Sequence, residues 1–141
     1  MNIVRMESFT VMGREVRTSN ARELSGQGSI GQLWSKMSPD LGKPVAVYSD
    51  YASNKDGEYS YLLGVEIGNN ETLPLQFSKR DTEEGDYVCL KSEGPVTPQL
   101  VAGLWRQIWA LEEAGEISRA YITDFEIYTG NGLELYVGVA R

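Results

Sequence analysis

An internal repeat is the feature that most constrains how this chain folds. Two stretches carry apolar residues at positions i, i+3, i+4 and i+7, which is the spacing of one face of an amphipathic helix. These residues are Ile30, Leu33, Trp34 and Met37 in the first copy and Val101, Leu104, Trp105 and Ile108 in the second. The repeat predicts one amphipathic helix in each half of the chain.

Each predicted helix is followed by two stretches with β-strand character. They span 45–51 and 59–68 in the first half, and 120–129 and 133–139 in the second. Gly64 and Gly138 are separated by the same number of residues as Asp50 and Asp124, so one offset in residue number relates both pairs. A further β-like stretch precedes each helix, at 3–12 and at 86–91. Each half is therefore predicted to have the order β-α-β-β.

The repeat also predicts how the two halves combine. A small β-α-β-β unit cannot bury the apolar face of its helix alone, whereas two units packed together can. We therefore predict an α+β fold with pseudo-twofold symmetry, built from six antiparallel strands and two main helices. With 141 residues, the chain is expected to be one domain, 1–141, with halves of approximately 1–70 and 71–141. Chance similarity between the halves is the alternative explanation.

Composition excludes several classes of protein. The chain has no histidine and one cysteine, which excludes Ser-His-Asp catalysis, multi-cysteine metal sites and internal disulfides. The net charge of −7 disfavours nucleic-acid binding and fits a cationic partner better. No segment approaches about 20 apolar residues, and no signal peptide is recognisable. We expect a cytoplasmic protein without a metal, a cofactor or a membrane partner.

One acidic residue stands out because of the face on which it is predicted to lie. The dipeptide Asn131-Gly132 predicts a two-residue type I′ turn, which places Glu126 opposite Val137. Glu126 and Tyr128 then share the more apolar face of the hairpin, where a carboxylate costs free energy unless it is compensated. Two interpretations remain open: a structural glutamate that is hydrogen-bonded by a tyrosine or by Arg119, or an acid that binds a cation at the bottom of an aromatic pocket.

The aromatic residues are of the types that suit such a pocket. The chain has eight tyrosines and three tryptophans against three phenylalanines, and the faces of these rings attract cations. Trp34 and Trp105 occupy equivalent helix positions and are expected to flank the pseudo-twofold axis. Tyr48, Tyr61 and Tyr128 lie on predicted strands and are candidates for the rest of the wall. Ordinary core packing is the alternative for each of them.

Several short motifs recur in an order that resembles a known family. They are SFTVMG, LWSKM, VYSDYASNKDGEYSYLLGVEI, EGDYVCLKSEG, LWRQIW and DFEIY. Their order and spacing, over nearly the whole chain, resemble the GyrI-like effector-binding domain superfamily, which comprises bacterial transcription activators and multidrug-binding proteins. Because no helix-turn-helix domain accompanies these motifs in this sequence, the chain resembles the stand-alone members, including those carried on integron cassettes.

The resemblance implies a ligand cleft between the two halves of a duplicated fold. In drug-sensing relatives, a buried acidic residue in that cleft meets cationic, lipophilic compounds, and Glu126, the glutamate of DFEIY, matches its position. Some stand-alone members resemble hydrolases that open the cyclopropane rings of toxic natural products with a glutamate in the same cleft.

Three functions compete at this point. The leading interpretation is a non-enzymatic binding protein for cationic, lipophilic compounds. The second is a hydrolase of electrophilic toxins in which Glu126 is the general base and a tyrosine hydroxyl positions the water. The third is a regulator that binds a protein partner, such as the transcription machinery or a topoisomerase, for which the acidic surface is the only support. The first two functions use the same residues, so the sequence does not separate them.

Overall fold

A computed structural model describes residues 2–68, 71 and 74–140 of the chain. Within them, eight strands form one antiparallel sheet: β1 (Asn2–Met6), β2 (Thr10–Ser19), β3 (Val45–Ser49), β4 (Glu58–Ile67), β5 (Ser78–Asp81), β6 (Gly85–Glu93), β7 (Arg119–Tyr128) and β8 (Gly132–Val139). The helices are α1 (Asn20–Leu24), α2 (Ile30–Ser35) and α3 (Pro98–Glu113), and a 3₁₀ turn spans Pro39–Leu41. Among these helices, none has the length and apolar character needed to cross a membrane. The predicted α+β class is confirmed.

The predicted number of six strands is wrong. The stretch 3–12 divides into β1 and the start of β2, because residues 7–9 leave the sheet between them. The additional strand β5 has the sequence SKRD, which lacks the apolar alternation that predicts a strand. It forms because its backbone pairs with the first part of β2 at the edge of the sheet.

The strand order shows the duplication. It runs β1-β6-β8-β7-β3-β4-β2-β5, so the second half occupies one side of the β7–β3 pair and the first half the other. The two edge strands are exchanged between the halves. Strand β1 of the first half pairs with β6 of the second, and β5 of the second half pairs with β2 of the first. The segments 7–9 and 82–84, which lead to β2 and β6, are joined by hydrogen bonds. Thr82 N donates to the Phe9 carbonyl at 2.8 Å, and Phe9 N donates to Thr82 Oγ1 at 3.0 Å.

This exchange requires a curled sheet. Three linking residues bridge at most about 14 Å, whereas six strand spacings in a flat sheet cover about 29 Å. The two ends of the sheet must therefore approach each other, with segments 7–9 and 82–84 crossing one face. Phe9 packs there against Phe125, with ring centroids 4.9 Å apart, as part of an apolar cluster. A second apolar cluster, formed with the helices, occupies the opposite face.

The predicted equivalence of Gly64 and Gly138 agrees with the strand registers. Gly64 lies opposite Gly13 on β2, and Gly138 lies opposite Tyr87 on β6. The step along the chain from Gly13 to Tyr87 equals the step from Gly64 to Gly138. The same offset in residue number therefore relates β2 to β6 and β4 to β8.

The pseudo-twofold axis passes through the pair formed by Val47 and Phe125. These two residues lie opposite each other on β3 and β7. Val47 also lies opposite Leu62, and Phe125 also lies opposite Tyr136. The offset in residue number that relates β4 to β8 also relates Leu62 to Tyr136. The surroundings of the two central residues therefore match when the halves are exchanged.

The residues that follow this central pair, Tyr48 and Glu126, are consequently counterparts in the two halves. The predicted equivalence of Asp50 and Asp124 is wrong. Its cause is the length of the connections, since ten residues separate the paired Ser49 and Ser60 in the first half, whereas six separate the corresponding Ile127 and Glu134 in the second. Strand β7 also contains a bulge, where its register against β8 shifts between Arg119 and Asp124. Tyr121 lies within this bulge and has a φ of 55°, a left-handed conformation that is uncommon for a non-glycine residue.

The β7–β8 turn begins one residue earlier than predicted. Its centre is Gly130-Asn131, where Gly130 has a φ of 87°. The flanking Thr129 N donates to the Gly132 carbonyl at 3.1 Å. This displacement shifts the strand pairing by two residues, so that Glu126 lies opposite Leu135. An even shift leaves every side chain on its predicted face, so Glu126 does lie on the face that the helices cover.

The close approach of β2 and β4 generates a stability prediction. A Cβ atom added to Gly64 would lie 1.7 Å from the carbonyl oxygen of Met12. We expect Gly64→Ala to lower the free energy of unfolding by about 1–3 kcal/mol, since the backbone of β2 would have to move. The midpoint of urea unfolding measures this change.

Gly31→Ala provides the matched control. A Cβ at Gly31, within α2, has no atom within 4 Å. Alanine there should be neutral or stabilise the helix by up to about 1 kcal/mol. Equal unfolding midpoints for Gly64→Ala and the unsubstituted protein would contradict the close strand contact.

Candidate ligand-binding cavity

A cavity of about 800 Å³ lies between the helices and the central strands β3, β4 and β7. Its volume is within the usual range for small-molecule sites. All six residues that the sequence analysis singled out line its wall: Trp34, Tyr48, Tyr61, Trp105, Glu126 and Tyr128. The structure therefore brings together the whole predicted set.

The two tryptophans are positioned by helices with well-defined starts. The Thr97 hydroxyl accepts a hydrogen bond from Leu100 N at 3.1 Å and caps α3. Ser29 does not cap α2 with its side chain. The Glu23 carboxylate accepts instead from Ser29 N at 3.0 Å and from Ile30 N at 3.3 Å. Negative charge at a helix N-terminus is favourable, so α1 supplies the cap of α2.

Glu126 is a buried residue of the wall and accepts three hydrogen bonds. Its relative exposure is 1%. Its Oε2 atom accepts from Tyr48 Oη at 2.8 Å and from Trp105 Nε1 at 2.7 Å, and its Oε1 atom accepts from Tyr128 Oη at 2.6 Å. The donors come from β3, α3 and β7, so both halves of the repeat hold this one carboxylate.

Burial dominates the titration of Glu126 and its neighbours. Removal from water raises the pKa of Glu126, and the hydrogen bonds from Tyr128, Trp105 and Tyr48 oppose this shift in part. Burial, followed by the nearby Glu126 charge, also raises the pKa values of Tyr48, Tyr61 and Tyr128. The tyrosines therefore remain neutral donors at physiological pH.

The hydrogen bonds combine features of both interpretations of Glu126. The carboxylate is bonded by tyrosines, as in the structural interpretation, and it also lines an aromatic cavity, as in the cation-binding one. Arg119 does not bond to it. The Arg119 Nη2 atom forms an ion pair with Asp124 Oδ2 at 2.7 Å instead.

The remaining predicted residues form one continuous aromatic wall. Trp34 Nε1 donates to Tyr61 Oη at 3.0 Å. The rings of Trp34 and Tyr128 meet edge to face at 4.7 Å, as do those of Tyr48 and Tyr61 at 5.0 Å. These contacts fix the rings against one another before any ligand is present.

Sequence reasoning missed the buried ion pair between Arg119 and Asp124. The side chains are 1% and 0% exposed, and Asp124 also accepts from Tyr51 Oη at 2.5 Å and from Gly138 N at 2.8 Å. Residues five apart in a regular strand point to opposite faces, so the pattern gave no reason to pair them. The bulge at Tyr121 corrects this parity.

Three further aromatic residues line the cavity without having been predicted: Tyr51, Tyr59 and Trp109. Trp109 follows Trp105 by four residues on α3, so helical spacing does contain the signal that places both indoles on one face. Tyr59 precedes Tyr61 by two residues in the predicted strand 59–68, so strand alternation contains the signal for it as well. Tyr51 lies beyond the end of β3 at Ser49, where alternation no longer indicates the direction of a side chain.

Comparisons with known proteins agree with the fold. Integron cassette protein VCH_CASS2, from the mobile metagenome of Vibrio cholerae, is 32% identical with a TM-score of 0.86, over 99% of this chain and 95% of that one. YobU of Bacillus subtilis (strain 168), which carries the name of a transcriptional regulator, is 27% identical over 159 residues, covering 99% of this chain and 98% of YobU.

A more distant structure shares the fold. SAV2435, whose structure was determined bound to tetraphenylphosphonium, is 16% identical with a TM-score of 0.72, over 99% of this chain and 93% of that one. Residues 2–139 match a family model described as integron-associated effector binding protein. Since this match spans nearly the whole sequence, the chain belongs to the family of integron-associated effector binding proteins.

Proposed function

We propose that this protein is a receptor for lipophilic monocations, with the positive charge bound beside Glu126. The observation that carries the proposal is a buried carboxylate in an aromatic cavity without a basic partner. Among the ion pairs of the described residues, none involves Glu126. Within the described part of the chain, its charge is met by neutral hydroxyl and indole donors.

The energetics of burial favour a cation at this place. A buried charge is costly, and neutral donors offset that cost only in part, as the raised pKa of Glu126 indicates. A cation in the cavity would add a Coulombic attraction that water screens little at such a site. The negative charge of the carboxylate, which the neutral donors compensate only in part, would then be paired with a positive charge.

The aromatic wall suits the lipophilic part of such a ligand. Rings of Trp34, Tyr48 and Trp105 offer apolar surface together with quadrupoles that attract cations. Because these rings are held by contacts with one another, little conformational entropy is lost when a ligand packs against them. Family membership and the tetraphenylphosphonium bound by SAV2435 also support this class of ligand.

The hydrogen bonds of Glu126 favour binding over hydrolysis. A general base must accept a proton from a water that approaches a free lone pair. Here two hydrogen bonds fill the lone pairs of Oε2 and a third occupies Oε1, so a single lone pair on Oε1 is left for a water. We expect an electrophilic cyclopropane incubated with the protein to be recovered unchanged by mass spectrometry. Protein-dependent addition of water, absent in Glu126→Gln, would favour the hydrolase instead.

Substitution of the carboxylate tests the receptor. Glu126→Gln keeps the shape, and its amide can still accept from Tyr48 and Trp105 on the oxygen side. We expect it to weaken methyltriphenylphosphonium binding by about 1.5–3 kcal/mol, the range for a charge-assisted contact. Binding of neutral triphenylphosphine oxide should change little. Isothermal titration of both ligands measures the difference.

Glu112→Gln is the matched control for this substitution. Glu112 likewise accepts from a tyrosine, since Tyr121 Oη lies 2.8 Å from both of its oxygens, but it does not line the cavity. Its removal should leave both affinities nearly unchanged. Equal losses for the cation and the neutral ligand in Glu126→Gln would contradict the proposal.

The raised pKa of Glu126 predicts proton release on binding. A bound cation should lower that pKa, so binding should release a proton at pH values between the lowered and the raised pKa. Affinity for a permanent cation should therefore fall as the pH decreases through the raised pKa. Titrations in buffers of different ionisation enthalpy measure the protons released.

The same carboxylate makes a prediction for the empty protein. Because its folded pKa exceeds the unfolded one, the folded state holds more protons between the two values, and stability should decrease as the pH rises through this window. Glu126→Gln should abolish both the proton release and this contribution to stability. This variant also separates Glu126 from Glu23, the other carboxylate of the wall. Release that persists in Glu126→Gln would assign the proton to another group.

A further inference from the structure

Two buried donors in the cavity wall have no acceptor among the described residues. They are the Nε atom of Arg119 and the Nε1 atom of Trp109. Both residues line the cavity, and the Arg119 side chain is 1% exposed. Buried polar groups are normally hydrogen-bonded, and each exception costs free energy unless a ligand or water supplies the missing partner.

Both residues that carry these donors are neighbours of Trp105. Trp109 lies one helical turn after Trp105 on α3, so both rings project from one face of the helix. The guanidinium carbon of Arg119 lies 5.5 Å from the centroid of the Trp105 ring. The N–H of Trp105 itself is occupied by Glu126. The two residues therefore neighbour the tryptophan that binds Glu126, and their unpartnered N–H groups do not bond to the carboxylate.

The charges around Arg119 determine which acceptor suits this place. Its Nη2 atom is paired with Asp124 at 2.7 Å, so the guanidinium charge is already compensated. An anionic ligand group would bring a second negative charge into the wall that holds Glu126. A neutral oxygen, such as that of a ketone, ester or amide, meets the unpaired N–H groups without this repulsion.

The bulge in β7 holds Arg119 in position. Tyr121, at the bulge, places its ring 4.2 Å from the guanidinium carbon, and its hydroxyl bonds to Glu112 on α3. The guanidinium is thus fixed between the Tyr121 ring and the Asp124 carboxylate before a ligand arrives. Donors that are already oriented give more discrimination than mobile ones.

We propose that the α3 side of the cavity is a subsite for a neutral hydrogen-bond acceptor of the ligand. The ligand class is then a lipophilic monocation that carries a carbonyl or similar oxygen apart from its positive charge. The place of the cation beside Glu126 rests on the proposed function, whereas the acceptor subsite rests on Arg119 and Trp109.

A matched pair of cations tests the subsite. (4-Benzoylbenzyl)trimethylammonium and (4-benzylbenzyl)trimethylammonium differ only by a carbonyl in place of a methylene. We expect the unsubstituted protein to bind the ketone about tenfold more tightly, since the methylene leaves both donors unpaired. Trp109→Phe removes one donor, so this ratio should fall to about threefold or less.

Trp34→Phe is the control for loss of an indole in the same wall. The N–H of Trp34 donates to Tyr61, so its removal should alter both affinities by a common factor and keep the tenfold ratio. Infrared spectroscopy of the bound ketone gives an independent reading in the unsubstituted protein. Its carbonyl stretch should lie at a lower frequency than in an aprotic solvent, and should rise in Trp109→Phe.

The outcomes separate the two proposals. Equal affinities of the two cations for the unsubstituted protein, with an unshifted carbonyl stretch, would overturn the subsite and leave the cation receptor intact. A ratio unchanged by Trp109→Phe would also overturn it. Failure of both cations to bind would overturn the receptor and the subsite together.

Discussion

The hydrogen-bonded pairing of β3 with β7 is the interaction on which both the fold and the cavity depend. It joins the two halves of the repeat, with Val47 opposite Phe125 at the centre. Because side chains alternate between faces, this register directs the central pair into one apolar cluster and their successors, Tyr48 and Glu126, toward the helices. A slip by one residue would place the carboxylate in the opposite cluster. One register thus determines the core and the cavity together.

The duplicated fold matters for the cavity because the two halves carry different residues at the equivalent positions 48 and 126. Tyr48 and Glu126 are counterparts, and the tyrosine donates to the glutamate at 2.8 Å. Two glutamates here would repel, and one would take up a proton. Two tyrosines would leave this pair of positions without a charge. One residue of each type yields a single carboxylate with a donor supplied by its own counterpart.

Sequence patterns predicted those parts of the structure whose apolar residues are periodic. The apolar stripe of α3 and the face of the sheet on which Glu126 lies could be predicted in this way. The prediction of the face held although the turn was misplaced, because the resulting shift in strand pairing was an even number of residues. Periodic patterns did not predict strand β5 or the Arg119–Asp124 pair, and the reason differs between the two. The former depends on backbone pairing with β2, and the latter on a bulge that reverses the parity of β7.

The charges of the wall explain how a buried site can discriminate by charge while its rings tolerate different shapes. Arg119 and Asp124 compensate each other, and Glu23 bonds to the N-terminus of α2, so Glu126 is the one deep carboxylate among the described residues without an ionic or helix-terminal partner. A single positive charge therefore balances the deep wall. A dication would leave a buried charge unmatched, and an anion would add to the repulsion, each at a desolvation cost of several kcal/mol. A change in the shape of the ligand carries no comparable free-energy penalty in aromatic packing. The cavity therefore discriminates between ligands most strongly by their charge.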